Sequence, residues 1–257
     1  MTWQFDGTVL VTVLLAMVRA SAWLVVSPPF SAPMVSPRIK AILALAIALS
    51  VAPALQGKAP PLEWAALVSS AAQQVVVGAA LGFITALYFT AFQVAGDLID
   101  MFGGFQVAMA YDPMANTQTA VFGRFYNLLA TTLLFATDGH ALVIRGFAAS
   151  YDAVPLTGIL SFATLGNVLS EGIGEMFLAA LQIAGPLIAV LFCADVALGL
   201  LTRVAPALNA FSLGFPAKIL LTVLLAGIAI GILPSMVAEV VDRAVEAVMA
   251  VVRASGR

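Results

Sequence analysis

Charge is scarce in this chain of 257 residues. Asp, Glu, Lys and Arg make up 9% of it and hydrophobic residues 62%, whereas soluble domains carry about 25% charged residues. With a mean hydropathy of +1.08, a soluble globular fold is excluded and an integral membrane protein is expected. The formal net charge of −2 has no strong sign, which argues against a nucleic-acid partner and against a basic tail for lipid headgroups. Cysteine is limited to Cys193, inside an apolar run. It cannot form an internal disulfide and reads as a buried structural thiol. The single histidine, His140, follows Asp138-Gly139, a turn signal, and reads as a surface or capping residue. Walker loop, nucleophile elbow, two-His helix and Cys/His cluster are all missing, so no catalytic residue, metal site or cofactor is expected. Basic residues are also missing before Arg19. The first hydrophobic segment is therefore expected to stay in the mature protein.

What is present is a series of long apolar runs. Residues 8–26 form the first. About ten Leu and Val side chains at roughly −0.3 to −0.6 kcal/mol each outweigh the roughly +2.5 to +3.5 that Arg19 costs at mid-depth. A connector with Pro28, Pro29, Pro33 and Pro37 leads to the basic pair Arg38 and Lys40, which marks an interface. The second run covers residues 39–55. From 62 to 95 the pattern is helical without a proline, about 50 Å long against a hydrocarbon core of about 30 Å. Gly78, Gly82 and Ala86 recur every fourth residue there and leave a smooth face on which another helix can pack. Asp97 and Asp100, three apart, share a face. Either they mark the solvated end of that helix or they line a pore or handle protons.

Residues 100–125 interrupt the hydrocarbon. Gly103-Gly104 and Pro113 break regular helix, and Asn116 to Thr119 are polar. Unpaired backbone groups at membrane depth cost several kcal/mol, roughly, unless protein or water surrounds them, so this segment cannot face lipid. Beyond it come an apolar run from 125 to 136, another from 141 to 149, and a connector through Tyr151, Asp152 and Pro155. Residues 161–202 are helical, with Pro186 expected to kink them. Asp195 and Arg203, eight apart, are poorly placed to pair with each other, so each is expected to meet another element. Phe215-Pro216 opens a run carrying Lys218. The segment from 217 to 233 holds Gly227 and Gly231, with Ser235 beyond, as a second close-packing face. The amphipathic tail 236–252 is expected at an interface or on a partner.

Several of these stretches together resemble the FliR family, flagellar biosynthetic proteins of the type III secretion export gate. Ser27-Pro28-Pro29-Phe30 followed by Val35 to Lys40 is similar to the family's proline segment. Leu81-Gly82-Phe83, Ala95-Gly96-Asp97 and Asp112-Pro113 also match it, and Asp138-Gly139-His140 stands where Asn-Gly-His is common. The most specific piece is Ala197 to Pro206 followed by Phe215-Pro216. The resemblance implies an all-α, polytopic membrane protein of long, kinked helical hairpins. One copy would pack with several FliP-like and FliQ-like subunits into an export-gate cone, much of it raised out of the bilayer plane. Residues 1–190 would be a FliP-like region including a plug loop at 102–122, and 191–257 a FliQ-like hairpin and tail. FlhB-like and FlhA-like components, unfolded exported flagellar proteins and the lipid bilayer are the further partners implied, at the bacterial inner membrane and the flagellar basal body.

On that footing the expected function is gating. The plug-loop residues are Phe102, Gly103, Gly104, Phe105, Met109, Asp112, Pro113, Met114 and Asn116. Met101, Met109 and Met114 either reseal the channel as adaptable fillers or pack ordinarily. Two rivals stand beside this reading. One is the equivalent subunit of a virulence injectisome. The other is a small-solute or proton-coupled transporter using Asp97, Asp100, Asp195, Arg203 and Lys218, for which paired inverted repeats are expected and none is visible.

Overall fold

The computed structural model describes residues 7–32, 35–105, 120–158, 160–205 and 210–255. Among these, every regular element is helical: α1 (Gly7–Val26), α2 (Pro37–Val51) running into a 3-10 turn (Ala52–Leu55), α3 (Trp64–Gly103), α4 (Val121–Ala136), α5 (Gly139–Ala153), α6 (Phe162–Val204), α7 (Ala210–Ala229) and α8 (Leu233–Ser255). Four helices, α1, α2 with its 3-10 turn, α3 and α6, are long and apolar enough to cross a membrane. The number rises to six if the bent pairs α4–α5 and α7–α8 each make one span. The chain is a multi-pass, all-α membrane protein.

Local chemistry explains several boundaries. Ser36 Oγ accepts from the Ile39 N–H and Pro37 occupies the first turn of α2, where its missing N–H costs nothing. The polar-looking pair at 97 and 100 does not end α3, which runs to Gly103 because Asp100 is fully buried rather than solvated. Its 40 residues give a length of about 60 Å. Tyr151 and Asp152 belong to α5 and not to a connector, since the Tyr151 ring is buried and its hydroxyl donates to Ala16 O at 2.8 Å. Phe215-Pro216 does not open a helix. It lies inside α7, which starts at Ala210.

The chain divides into two compact units, residues 1–88, 138–173 and 241–257 in the first and 89–137 with 174–240 in the second. The first unit is built around Arg19, which is entirely buried. Its Nε donates to Gln74 Oε1, Nη1 to Ser150 O at 3.0 Å, and Nη2 to Val154 O at 2.9 Å. The guanidinium lies 4.4 Å from the Tyr151 ring centre. Trp23, one turn on, stacks on Phe147 with centroids 4.4 Å apart. Gly78 and Gly82 sit where α1 crosses α3. A Cβ at Gly78 would collide with the Arg19 carbonyl oxygen, and one at Gly82 would lie 3.0 Å from that of Trp23. The end of the amphipathic tail packs on its own chain: Val245 lies against Gly146, and Ser255 Oγ accepts from the Ser161 N–H at 3.1 Å. An apolar stripe of valines can be buried inside its own chain as readily as in lipid, and here Val241, Val248, Val251 and Val252 are buried.

Candidate functional site

The second unit holds both flanks of the central segment. Of the plug-loop residues expected from sequence, Phe102, Gly103, Gly104 and Phe105 are described, whereas Met109, Asp112, Pro113, Met114 and Asn116 lie outside the described residues. Helix α4 starts without a local cap. Ala120 stands at its N-cap position and offers no side-chain acceptor. Unpaired N–H groups of a first helical turn are costly to bury, and a carboxylate from another element takes them. Asp100 Oδ2 on α3 accepts from the Phe122 N–H at 2.8 Å and from the Gly123 N–H at 3.1 Å. These are the second and third positions of α4, the donors a local capping residue would satisfy.

Glycines make this approach possible. A Cβ at Gly96, one turn before Asp100, would run into the Phe122 carbonyl and the Gly123 nitrogen. One at Gly123 would run into the Asp97 carboxylate. Asp97 is half-buried beside that turn. Phe105 and Phe122 meet edge to face with centroids 5.2 Å apart, and Phe122 continues to Phe125 and Tyr126 at 6.4 Å each. Gly104 has φ +83°, a left-handed conformation that favours glycine. It faces the Phe215 ring of α7 at 3.3 Å from its would-be Cβ, and Gly103 faces Thr222 Oγ1 at 2.8 Å. The two ends of the central segment are thus fixed together on α3, α4 and α7.

The remaining candidates are dispersed. Lys218 Nζ on α7 and Asp195 Oδ1 on α6 form an ion pair at 2.7 Å, so Asp195 meets another element. Arg203 is exposed near the end of α6. Gly227 has nothing within 4 Å of a would-be Cβ, and Gly231 only the Ile228 carbonyl one turn back. Ala86 is partly buried on α3. His140 stands in the first turn of α5. Cys193 is exposed rather than buried, because the α6 face carrying Phe192 and Val196 is open to its surroundings. Among the described residues, no group of three or more His, Cys, Asp or Glu side chains is gathered to hold a metal ion.

Two residues had roles that sequence reasoning missed. In the sequence Arg19 reads only as a cost, although an intramembrane arginine implies a partner by default. Asp100 reads there as one of a pair with Asp97, and the absence of Ser, Thr, Asp or Asn at position 120 is the readable sign that α4 needs an acceptor from elsewhere.

Fold and site together define a multi-pass membrane protein whose polar groups serve helix packing. The family described as bacterial export proteins, family 1, matches residues 10–244. The chain belongs to that family, within its FliR group. It is 34% identical over 219 residues to the flagellar biosynthetic protein FliR of Pectobacterium carotovorum subsp. carotovorum, covering 84% of this chain and 83% of that one. It is 32% identical over 200 residues to the FliR of Escherichia coli strain K12, covering 78% and 77%. The surface presentation of antigens protein SpaR of Shigella flexneri is 30% identical over 151 residues, 59% of this chain and 58% of that one.

Proposed function

We propose that the chain is a structural and gating subunit of the flagellar type III protein export apparatus, helping to form and plug the channel through which unfolded flagellar proteins leave. The observation that carries this reading is the likeness to a flagellar FliR along 84% of the chain. A glycine-broken central segment anchored at both ends supports it. In this reading residues 1–190 act as the FliP-like part with its plug at 102–122, and 191–257 as the FliQ-like hairpin and tail. FliP-like and FliQ-like subunits are the direct neighbours, FlhB-like and FlhA-like components join them, and the assembly sits in the inner membrane at the flagellar basal body. Among the described residues, no other helix comes within 4 Å of a would-be Cβ at Gly227 or Gly231, which leaves room there for a neighbouring subunit to approach closely. The chain supplies a conduit and its seal, and energy enters through the partners.

Deleting Phe105 to Asn116 tests the plug. The expected result is an assembled complex that leaks ions in cells, read with a membrane-potential dye; an unchanged seal contradicts the reading. The SpaR likeness favours a second reading, the same role in an injectisome. Expression in a flagellate bacterium made non-motile by deletion of its own FliR separates the two, with restored swimming expected for the flagellar protein.

A further inference from the structure

The geometry points to Asp100 as a clasp that holds the two ends of the central segment against each other and so sets how tightly the channel is sealed, an inference that rests on the plug reading above. A capping residue on α4 itself would satisfy the same N–H groups without tying α4 to anything. Asp100 does both, because it belongs to α3 and lies just ahead of the point where the segment leaves that helix at Gly103. Its carboxylate is fully buried and reaches the Phe122 and Gly123 N–H groups just after the segment returns at Ala120. Gly96, on the same face of α3 one turn earlier, carries no Cβ. The backbone of Phe122 and Gly123 therefore comes within reach of the carboxylate, and any side chain there would push α4 away. The Phe105–Phe122 contact closes the same junction from the segment's side. Asp100 is thus a positioning residue: it lines nothing itself, and it fixes where the plug begins and ends.

The experiment separates cap from clasp in the full chain co-expressed with its partner subunits. Three variants are compared: Asp100→Ala, Asp100→Asn, and the double variant Asp100→Ala with Ala120→Asp, which returns a cap to α4 from its own N-cap position. Backbone hydrogen exchange of residues 120–126 in the purified complex reads the cap, and a membrane-potential dye in cells reads the seal. Asp100→Ala should exchange about tenfold faster there and leak. Asp100→Asn keeps an acceptor oxygen and should resemble the wild type in both. The double variant should recover slow exchange and still leak, since its α4 is capped but no longer tied to α3. Because it is capped, it also keeps the test decisive if Asp100→Ala alone fails to assemble. Gly96→Ala should leak with Asp100 intact. A tight seal in the double variant beside a leaky Phe105–Asn116 deletion overturns the clasp and leaves the plug standing. A tight seal in the deletion itself overturns both.

Discussion

A guanidinium in an apolar helix has five N–H donors to satisfy, and at Arg19 they are met by neutral oxygens. Gln74 Oε1 and the carbonyls of Ser150, Val154 and Pro155 accept from it, at the C-terminal end of α5, where the helix dipole is negative. Replacing Arg19 with Leu orphans several buried acceptors at once. The expected loss is about 2–5 kcal/mol, seen as a lower Tm of the detergent-solubilised complex, with Arg19→Lys intermediate because an ammonium cannot reproduce the fork. An unchanged Tm for Arg19→Leu would contradict the buried network. Glycines give a paired prediction. Gly78→Ala drives a methyl into the Arg19 carbonyl and should cost about 1–3 kcal/mol, whereas Gly174, with open space around it, should tolerate Ala or gain about 0.5–1 kcal/mol from helix propensity. Equal effects at the two sites would mean that α1 does not cross α3 at Gly78.

At the scale of elements, α6 and α7 are cross-linked by Asp195 and Lys218. The Asp195 side chain is 45% exposed, so the pair is worth about 0.2–1 kcal/mol where water reaches it. Either single neutralisation should lower Tm slightly, and the exchanged pair Asp195→Lys with Lys218→Asp should recover it; no recovery would mean that the contact is incidental. Helix existence was legible in the sequence because apolar runs and proline punctuation report it directly, as at 8–26 and at Ser36-Pro37. Less legible were ends decided by tertiary contacts. Helix α3 overran its expected end because Asp100 is buried against α4, and α5 overran because Tyr151 reaches α1. The destination of the tail was hidden for the same reason: a valine stripe does not say whether lipid, a partner or α5 covers it. At the candidate site, the glycine and aspartate placement marked the flanks of the central segment, while the Asp100 cap was not legible, since its donors are 22 and 23 residues away in sequence.

Across the whole molecule, large apolar side chains stand open to the surroundings, among them Phe177, Leu181, Phe192, Val196 and Leu200 on α6 and Leu220, Leu224 and Ile228 on α7. In the proposed export-gate assembly, such faces would be divided between lipid and neighbouring subunits. Exposed Cys193 offers a native probe of that division. Maleimide labelling should be rapid in the detergent-solubilised chain alone and at least several-fold slower in the complex with FliP-like and FliQ-like subunits; equal rates would put lipid rather than a subunit over that face. The most direct measurement of the central claim is a cryo-EM map of the co-expressed complex. The expected result places residues 102–122 on the axis of a closed channel, with Asp100 and Gly123 at the root of the plug. A map with that segment on the outer surface, away from any conduit, would contradict it.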